Sequence, residues 1–204
     1  MKIRVYMKES CTNSLGPNKR FALWVQGCNR KCKNCMSPDS QPINGGTLFQ
    51  TKQIVGEIRL AIKNDNIEGI TISGGEPFMQ ADAIVEILKE VKKTNDLGVI
   101  MYTGMVFDEL KNMQEESVQE LLEQCDLLVD GEYIDELNDD KSLRGSSNQN
   151  VIVLTDRYKN VIDKFYGLDK RQIEIPVNSA NRKMIGIPSR AFWSNYKKAL
   201  GGEE

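Results

Sequence analysis

Phe21-Ala-Leu-Trp-Val-Gln-Gly-Cys-Asn-Arg-Lys-Cys-Lys-Asn-Cys-Met36 joins an apolar run to a tight cluster of three cysteines. Phe21 to Gln26 is apolar enough for a strand buried on both faces. It delivers Cys28, Cys32 and Cys35 at its C-terminal end, in the spacing C-x3-C-x2-C. Three thiolates on one loop can hold three irons of a cubane cluster, and a [4Fe–4S] cluster normally takes four cysteines. One iron then keeps an open coordination site for a substrate or cofactor, which reads as a working cluster rather than an electron wire. A structural zinc site is the bland alternative. The chain has no histidine, so the fourth zinc ligand would have to be Cys11, Cys125 or Asp39. The same lack excludes a Ser-His-Asp or Cys-His hydrolase and any histidine general base.

Outward from this loop the pattern is strand, glycine turn, helix. Ser14 to Arg20 reads as a loop around Gly16-Pro17, and Gly45-Gly46 as a second break. From Thr51 to about Lys63, Ile54, Ile58, Ala61 and Ile62 share one helical face. A strand over 69–73 runs into Ser73-Gly-Gly-Glu-Pro77. Ile84, Ile87, Leu88 and Val91 predict a second amphipathic helix. Leu97 to Gly104 is the next strand and its exit. Val118, Leu121, Leu122 and Cys125 mark a further helix, Asp126 to Gly131 a buried strand, and Val151 to Thr155 the last strand of the series. Strand and helix in alternation predict βα units and a parallel sheet. The glycine turns all follow strands, so the cysteine loop, Gly74-Gly75-Glu76, Tyr102-Thr103-Gly104 and Asp130-Gly131 should meet on the C-terminal rim, where parallel α/β proteins do their chemistry. Arg171 to Asn178 alternates like a strand; a turn at Asn178 to Asn181 and a strand over Lys183 to Ile187 would make it a small hairpin. A terminal helix is expected around Ala191 to Ala199.

The 204 residues suffice for one core without staples. The excess of acidic over basic residues is slight, a net charge of −2, which argues against a primary nucleic-acid binder. No apolar stretch reaches membrane-span length, and Met1 to Tyr6 lacks a signal-peptide core. The expected location is therefore the cytoplasm. Three clustered cysteines out of five do not read as a disulfide framework. An open iron would be oxygen-sensitive, so the expected setting is anaerobic.

With C-x3-C-x2-C followed by a Gly-Gly-Glu-Pro turn on the next strand, the chain resembles the radical S-adenosylmethionine (radical SAM) enzymes. Tyr102 to Leu110, Leu127 to Gly131 and Arg144-Gly-Ser-Ser-Asn-Gln149 resemble, more narrowly, the activating proteins of anaerobic ribonucleotide reductase. The likeness spans roughly residues 10 to 150. It implies a partial (βα)6 barrel over 1–158 with a hairpin-plus-helix extension over 159–204 packed on it. It implies that Cys28, Cys32 and Cys35 hold a [4Fe–4S] cluster whose open iron chelates the methionine moiety of SAM, and that the deoxyadenosyl radical formed from SAM takes an α-hydrogen from a glycine of a partner enzyme. Reduced flavodoxin or ferredoxin would supply the electron. By position, Asn34 and Met36 lie beside SAM; Gly74, Gly75 and Glu76 meet its methionine end, where the Glu76 carboxylate suits an ammonium. Thr103 and Asp130 are candidates for the ribose or amino-acid portion. Arg144, Ser146 and Asn148 hold the rim or the partner, or simply satisfy loop backbone.

Two residues depart from the pattern: Asn34 where many radical SAM enzymes carry an aromatic residue, and Glu132 where the reductase activators carry a lysine. The final fifty or so residues exceed the short activator, by ordinary length expectations. They keep open a radical SAM enzyme acting directly on a small molecule or peptide. A non-catalytic iron–sulfur or zinc protein is the reading from another class. Cys125, Trp24 and Met101 read as core, Cys11 as a loop residue, and Glu115-Glu116 as a solvated helix start.

Overall fold

The computed structural model describes residues 1–166, 171–175 and 184–199. In chain order the elements are β1 (Lys2–Thr12), β2 (Arg20–Val25), β3 (Thr47–Gln50), α1 (Thr51–Asp65), β4 (Gly69–Gly74), α2 (Ala81–Lys92), β5 (Gly98–Tyr102), α3 (Phe107–Asn112), α4 (Glu116–Glu123), β6 (Leu127–Asp130), β7 (Asn150–Val153), α5 (Ile162–Tyr166), β8 (Ile173–Glu174), β9 (Ile185–Gly186) and α6 (Arg190–Ala199).

One seven-stranded sheet runs in the order β3-β1-β2-β4-β5-β6-β7. Strands β2, β4, β5 and β6 are parallel, whereas β1, β3 and β7 are antiparallel to their neighbours. The sheet is thus mostly parallel at its centre, with four parallel strands where a (βα)6 repeat would have six. The connection from β6 to β7 explains one departure. Residues 131–149 carry Gly, Ser, Asn and Asp without an apolar helical period, and hold no crossover longer than one 3-10 turn at Asp135–Leu137. A parallel return needs a crossover of a dozen or more residues, usually a helix. The chain instead stays on the rim and runs back, pairing Asp130 with Asn150. At the other edge β1 and β3 add two strands, and Cys11 lies in β1, half-buried against the core, rather than in a loop.

Strand periodicity divides the side chains between two faces. Phe21, Leu23 and Val25 of β2, with Ile70, Ile72, Val99 and Met101, face one core cluster that also takes Ile54 and Ile58 of α1, Ile84 and Leu88 of α2, and Leu121 of α4. Helix α1 begins at a capping box, in which Gln50 N–H donates to Gln53 Oε1 at 2.8 Å, and ends at Asn66 in the left-handed region. Cys125 follows α4 and is 1% exposed, a core residue. Glu115 and Glu116 are exposed at the start of α4.

The opposite face of the sheet is lined by smaller groups. Ala22 and Trp24 pack with Leu15 and Ile185, and Ile100 and Leu127 pack with Leu143, Tyr158 and Ile162. The floor of this concave side is Arg20, the first residue of β2 and 0% exposed. Its guanidinium donates to Thr71 Oγ1 (2.6 Å), Tyr158 OH (2.8 Å), and the carbonyls of Pro17 (3.1 Å), Ile70 (2.8 Å) and Gly98 (3.0 Å). The neighbouring strand starts are glycines for lack of room: a Cβ on Gly69 would lie 2.5 Å from Arg20 Nη1, and one on Gly98 2.0 Å from Tyr158 OH.

Beyond residue 158 the described segments fold back over this concave side. Strands β8 and β9 pair antiparallel, Ile173 with Gly186, and α6 follows. The hairpin turn expected at Asn178 to Asn181 lies outside the described residues. Among the described residues no helix is long and apolar enough to cross a membrane.

Candidate metal and cofactor site

The rim is assembled by backbone. Gly75 N–H donates to Val25 O and Glu76 N–H to Gly27 O, both at 2.8 Å, so the turn after β4 is sewn to the exit of β2. The two glycines follow from that contact. Gly74 has φ +103°, and a Cβ on it would lie 2.4 Å from Val25 O; one on Gly75 would lie 2.1 Å from Gly27 O. Close approach is what glycine permits, and here the first thing approached is the start of the cysteine loop. The loop is pinned from below, with Gly27 N–H donating to Ser40 O (2.7 Å) and Cys28 N–H to Gln41 O (3.0 Å).

Above this frame lies a cavity of about 540 Å³, within the range of small-molecule and cofactor sites. Cys28, Cys32 and Cys35 all line it, as do Met36, Gly74 and Gly75. Trp24, Thr103 and Tyr102 line it from the concave side. Each cysteine is half-buried. Cys28 Sγ accepts from Arg30 N–H and Cys35 Sγ from Ser37 N–H, both at 3.4 Å. Backbone donors to sulfur are among the groups that tune an iron–sulfur centre. Burial raises the Cys28 thiol and pushes Cys32 up to about 11; the neighbouring cysteines add to both shifts, as Glu76 does at Cys28 and Glu132 at Cys32. Glu132 thus lies within electrostatic reach of a candidate ligand. Among the described residues no three cysteine, aspartate or glutamate side chains stand at metal-ligand spacing; the three thiols border one cavity. The donor set suits iron–sulfur better than zinc. Of the three candidate fourth zinc ligands only Asp39 reaches the same cavity, whereas Cys11 and Cys125 do not.

Four expected site residues have partners within the protein. The Glu76 carboxylate, 1% exposed, accepts from the Thr103 hydroxyl (2.8 Å), Gly104 N–H (2.9 Å) and Phe78 N–H (3.2 Å). All three donors belong to the protein itself; burial raises its pKa, and these donors with Arg30 pull it back. Asp130 accepts from Phe107 N–H (2.7 Å) and from Asn150 N–H and Nδ2 (3.2 and 2.9 Å), tying β6 to β7 and α3. Asn34, exposed with φ +55°, donates through Nδ2 to Asp135 at 3.0 Å, joining the cysteine loop to the rim loop outside the cavity. Thr103 borders the cavity, yet its hydroxyl is already engaged with Glu76 and with Met105 N–H (3.0 Å).

Ser146 and Asn148 take the bland reading. Ser146 Oγ accepts from Ile134 N–H (3.1 Å) and Asn148 Nδ2 donates to Glu132 O (2.8 Å), so both hold loop backbone. Arg144 pairs with Asp139 within the same rim segment. The other cavity residues, of which Tyr102 was expected at the rim, carried no expected site role. Arg30 reaches the cavity while bonding Glu109 at 3.5 Å. Tyr102 has a buried hydroxyl with no partner among the described residues, and burial drives its pKa up. Met184, Trp193 and Tyr196 line the cavity from the C-terminal segment. Alternation put Tyr102 on the concave face with Ile100; no sequence signal brought Trp193 and Tyr196 to the cysteines.

Comparison with known proteins fits this architecture. The family described as a 4Fe-4S single cluster domain matches residues 14–152. The anaerobic ribonucleoside-triphosphate reductase-activating protein of Enterobacteria phage T4 is 31% identical over 144 residues, which is 69% of this chain and 88% of that protein. Its counterpart in Vibrio cholerae is 33% identical over 140 residues, 66% and 87%. The pyruvate formate-lyase-activating enzyme of Listeria monocytogenes is 29% identical over 156 residues, 74% of this chain and 60% of that enzyme. A cysteine loop that ends the first parallel strand, matched across most of the sheet, makes the chain a member of the 4Fe-4S single cluster domain family, on the radical SAM branch that includes the anaerobic reductase-activating proteins.

Proposed function

We propose that this protein cleaves S-adenosylmethionine reductively and so installs a glycyl radical on a partner enzyme, such as an anaerobic ribonucleotide reductase. When bound, the cluster supplies one electron to the sulfonium of SAM, whose C5′–S bond breaks to methionine and a 5′-deoxyadenosyl radical that takes an α-hydrogen from glycine. The single observation that carries this reading is that Cys28, Cys32, Cys35, Gly74 and Gly75 border one cavity, in a chain that aligns with most of the length of reductase-activating proteins.

The protein's part is holding and orienting. Cys28, Cys32 and Cys35 would hold the cluster as thiolates, and the backbone N–H groups of Arg30 and Ser37, which donate to two of the sulfurs, would stabilise their charge. Gly74 and Gly75 offer backbone to the methionine end, with Met36 beside it. Glu76, Thr103 and Asp130 act from behind, fixing the rim that carries those groups, and Asn34 fixes the outer side of the loop. Trp24 and Tyr102 exclude water from the space where a carbon radical would be exposed. Reduced flavodoxin or ferredoxin is the proposed electron donor. We take residues 1–158 as a shortened form of the partial (βα)6 barrel and 159–204 as an extension packed on it.

Anaerobic reconstitution with iron and sulfide, then dithionite and SAM, tests the reading. The expected products are 5′-deoxyadenosine and, with the reductase added, a glycyl-radical doublet in its electron paramagnetic resonance spectrum. Deoxyadenosine without any partner radical would favour direct action on a smaller substrate. Absence of both would overturn radical chemistry altogether.

A further inference from the structure

One wall of the cavity comes from residues beyond the family match, which ends at residue 152. Met184, Ile187, Pro188, Trp193 and Tyr196 border the same space as the three cysteines. Trp193 and Tyr196 stack with ring centroids 6.0 Å apart and planes inclined by 16°, and Phe192 also stacks with Tyr196, at 6.0 Å and 17°.

This wall is bolted in place. The Arg171 guanidinium, 2% exposed, donates to Pro188 O (2.9 Å) in the wall and to Arg144 O (2.8 Å), Gly145 O (3.0 Å) and Lys141 O (2.9 Å) in the rim loop. The Asp140 carboxylate accepts from both Arg171 Nη1 (3.3 Å) and Arg190 N–H (2.9 Å), the latter at the first residue of α6. On the far side Glu174 of β8 accepts from Thr12 Oγ1 (2.7 Å) and Asn13 N–H (2.8 Å) at the end of β1. Ile185, 0% exposed, plugs into Leu15, Ala22 and Trp24.

Among the described residues this lining brings flat rings, a thioether and aliphatic groups to the cavity, and no carboxylate, thiol or basic side chain. These groups have little with which to ligate iron or clasp the charged ends of an amino acid, tasks suited to the cysteine loop and the β4 turn that border the same space. A molecule that gives its charged groups to the loop and the turn therefore has the rings for its apolar surface. We propose that Trp193 and Tyr196 select the radical acceptor: they form a flat slot that admits an extended peptide whose central residue lacks a side chain, and hold its α-carbon toward the radical. This rests on the activase reading above and names the surface by which that activity chooses its target.

The test compares Trp193→Ala and Tyr196→Ala with the wild type, each reconstituted anaerobically, in two measurements. One is 5′-deoxyadenosine formed with SAM and dithionite and no acceptor. The other is glycyl-radical spins formed per deoxyadenosine with anaerobic ribonucleotide reductase present. The expected result is a radical yield per cleavage lowered at least tenfold, whatever the change in deoxyadenosine formed. Thermal melts of the same samples show whether the fold survives; Trp193→Phe, which keeps a flat ring, should restore most of the yield. A fall in deoxyadenosine with the yield per cleavage unchanged would overturn the proposal by making the wall part of the SAM site, and so would no change in either. If the wild type makes deoxyadenosine but no partner radical, the activase reading itself fails and this inference falls with it.

Discussion

Arg20 donates to the hydroxyl of Tyr158 at 2.8 Å, across 138 positions of sequence, with the guanidinium wholly out of solvent. Its other acceptors are a threonine hydroxyl and three carbonyls, so among the described residues no carboxylate is bonded to this buried cation. Tyr158→Phe leaves an N–H of a buried charge without an acceptor, a loss of about 1–3 kcal/mol. Arg20→Ala also strands the Pro17, Ile70 and Gly98 carbonyls and opens a void, so it should cost more than about 3 kcal/mol. Urea unfolding of the two variants beside the wild type checks the order; equal stability of all three would refute the floor role.

Replacing Cys28, Cys32 or Cys35 singly by alanine is expected to abolish cluster assembly, read as bound iron and sulfide after reconstitution. Cys125→Ala should load iron normally. Its thiol is pushed up to about 12, chiefly by burial, so in the native protein it should resist alkylation at a mildly alkaline pH and react on unfolding. Loss of the cluster in Cys125→Ala would contradict its place in the core.

Gly75→Ala tests the sewing of the two rim segments. The added Cβ meets the Gly27 carbonyl at 2.1 Å, and neither backbone has a flexible end to swing away. The expected cost is about 1–3 kcal/mol, with a lower affinity for SAM in equilibrium binding to the reconstituted protein. Gly56→Ala is the control: a Cβ there meets nothing within 4 Å.

Glu76 gives a dependence on pH. Burial raises its carboxyl above the ordinary 4.5. A carboxyl raised on folding holds its proton more tightly in the native chain; its contribution to stability is present below pH 4.5 and declines as pH climbs through the raised value. Glu76→Gln does not titrate, and its single acceptor oxygen leaves a buried donor unmet at a cost of about 1–3 kcal/mol. The gap between wild type and variant should therefore narrow from about pH 4 to about pH 7. Denaturant titrations across that interval check the sign, and a widening gap would overturn it.

Much of the sheet could be read from local pattern. The apolar run at Phe21–Val25, the helical period of Ile54 and Ile58, and the glycine turn at Gly74–Gly75 each carry their own signal and fall where expected. What escaped was long-range. Strand β1 mixes charged and apolar residues without clean alternation, and the direction of β7 depends on a connection that lacks a helix, so neither was visible in a short window. The site divides in the same way. The cysteines and glycines announce themselves by spacing, whereas Glu76 and Asp130 are bonded to backbone that only tertiary structure brings to them. Arg20 heads an apolar run, with Gly69 and Gly98 at the starts of the strands beside it. A charge at a buried strand start, flanked by residues without side chains, was the available clue to a packed cation.

The Arg20 floor also bears on traffic. Among the described residues a guanidinium and Tyr158 pack the starts of β2, β4 and β5, at the end of the sheet away from the cysteines. Exchange between the cavity and solvent is therefore expected through the rim that carries the cysteine loop.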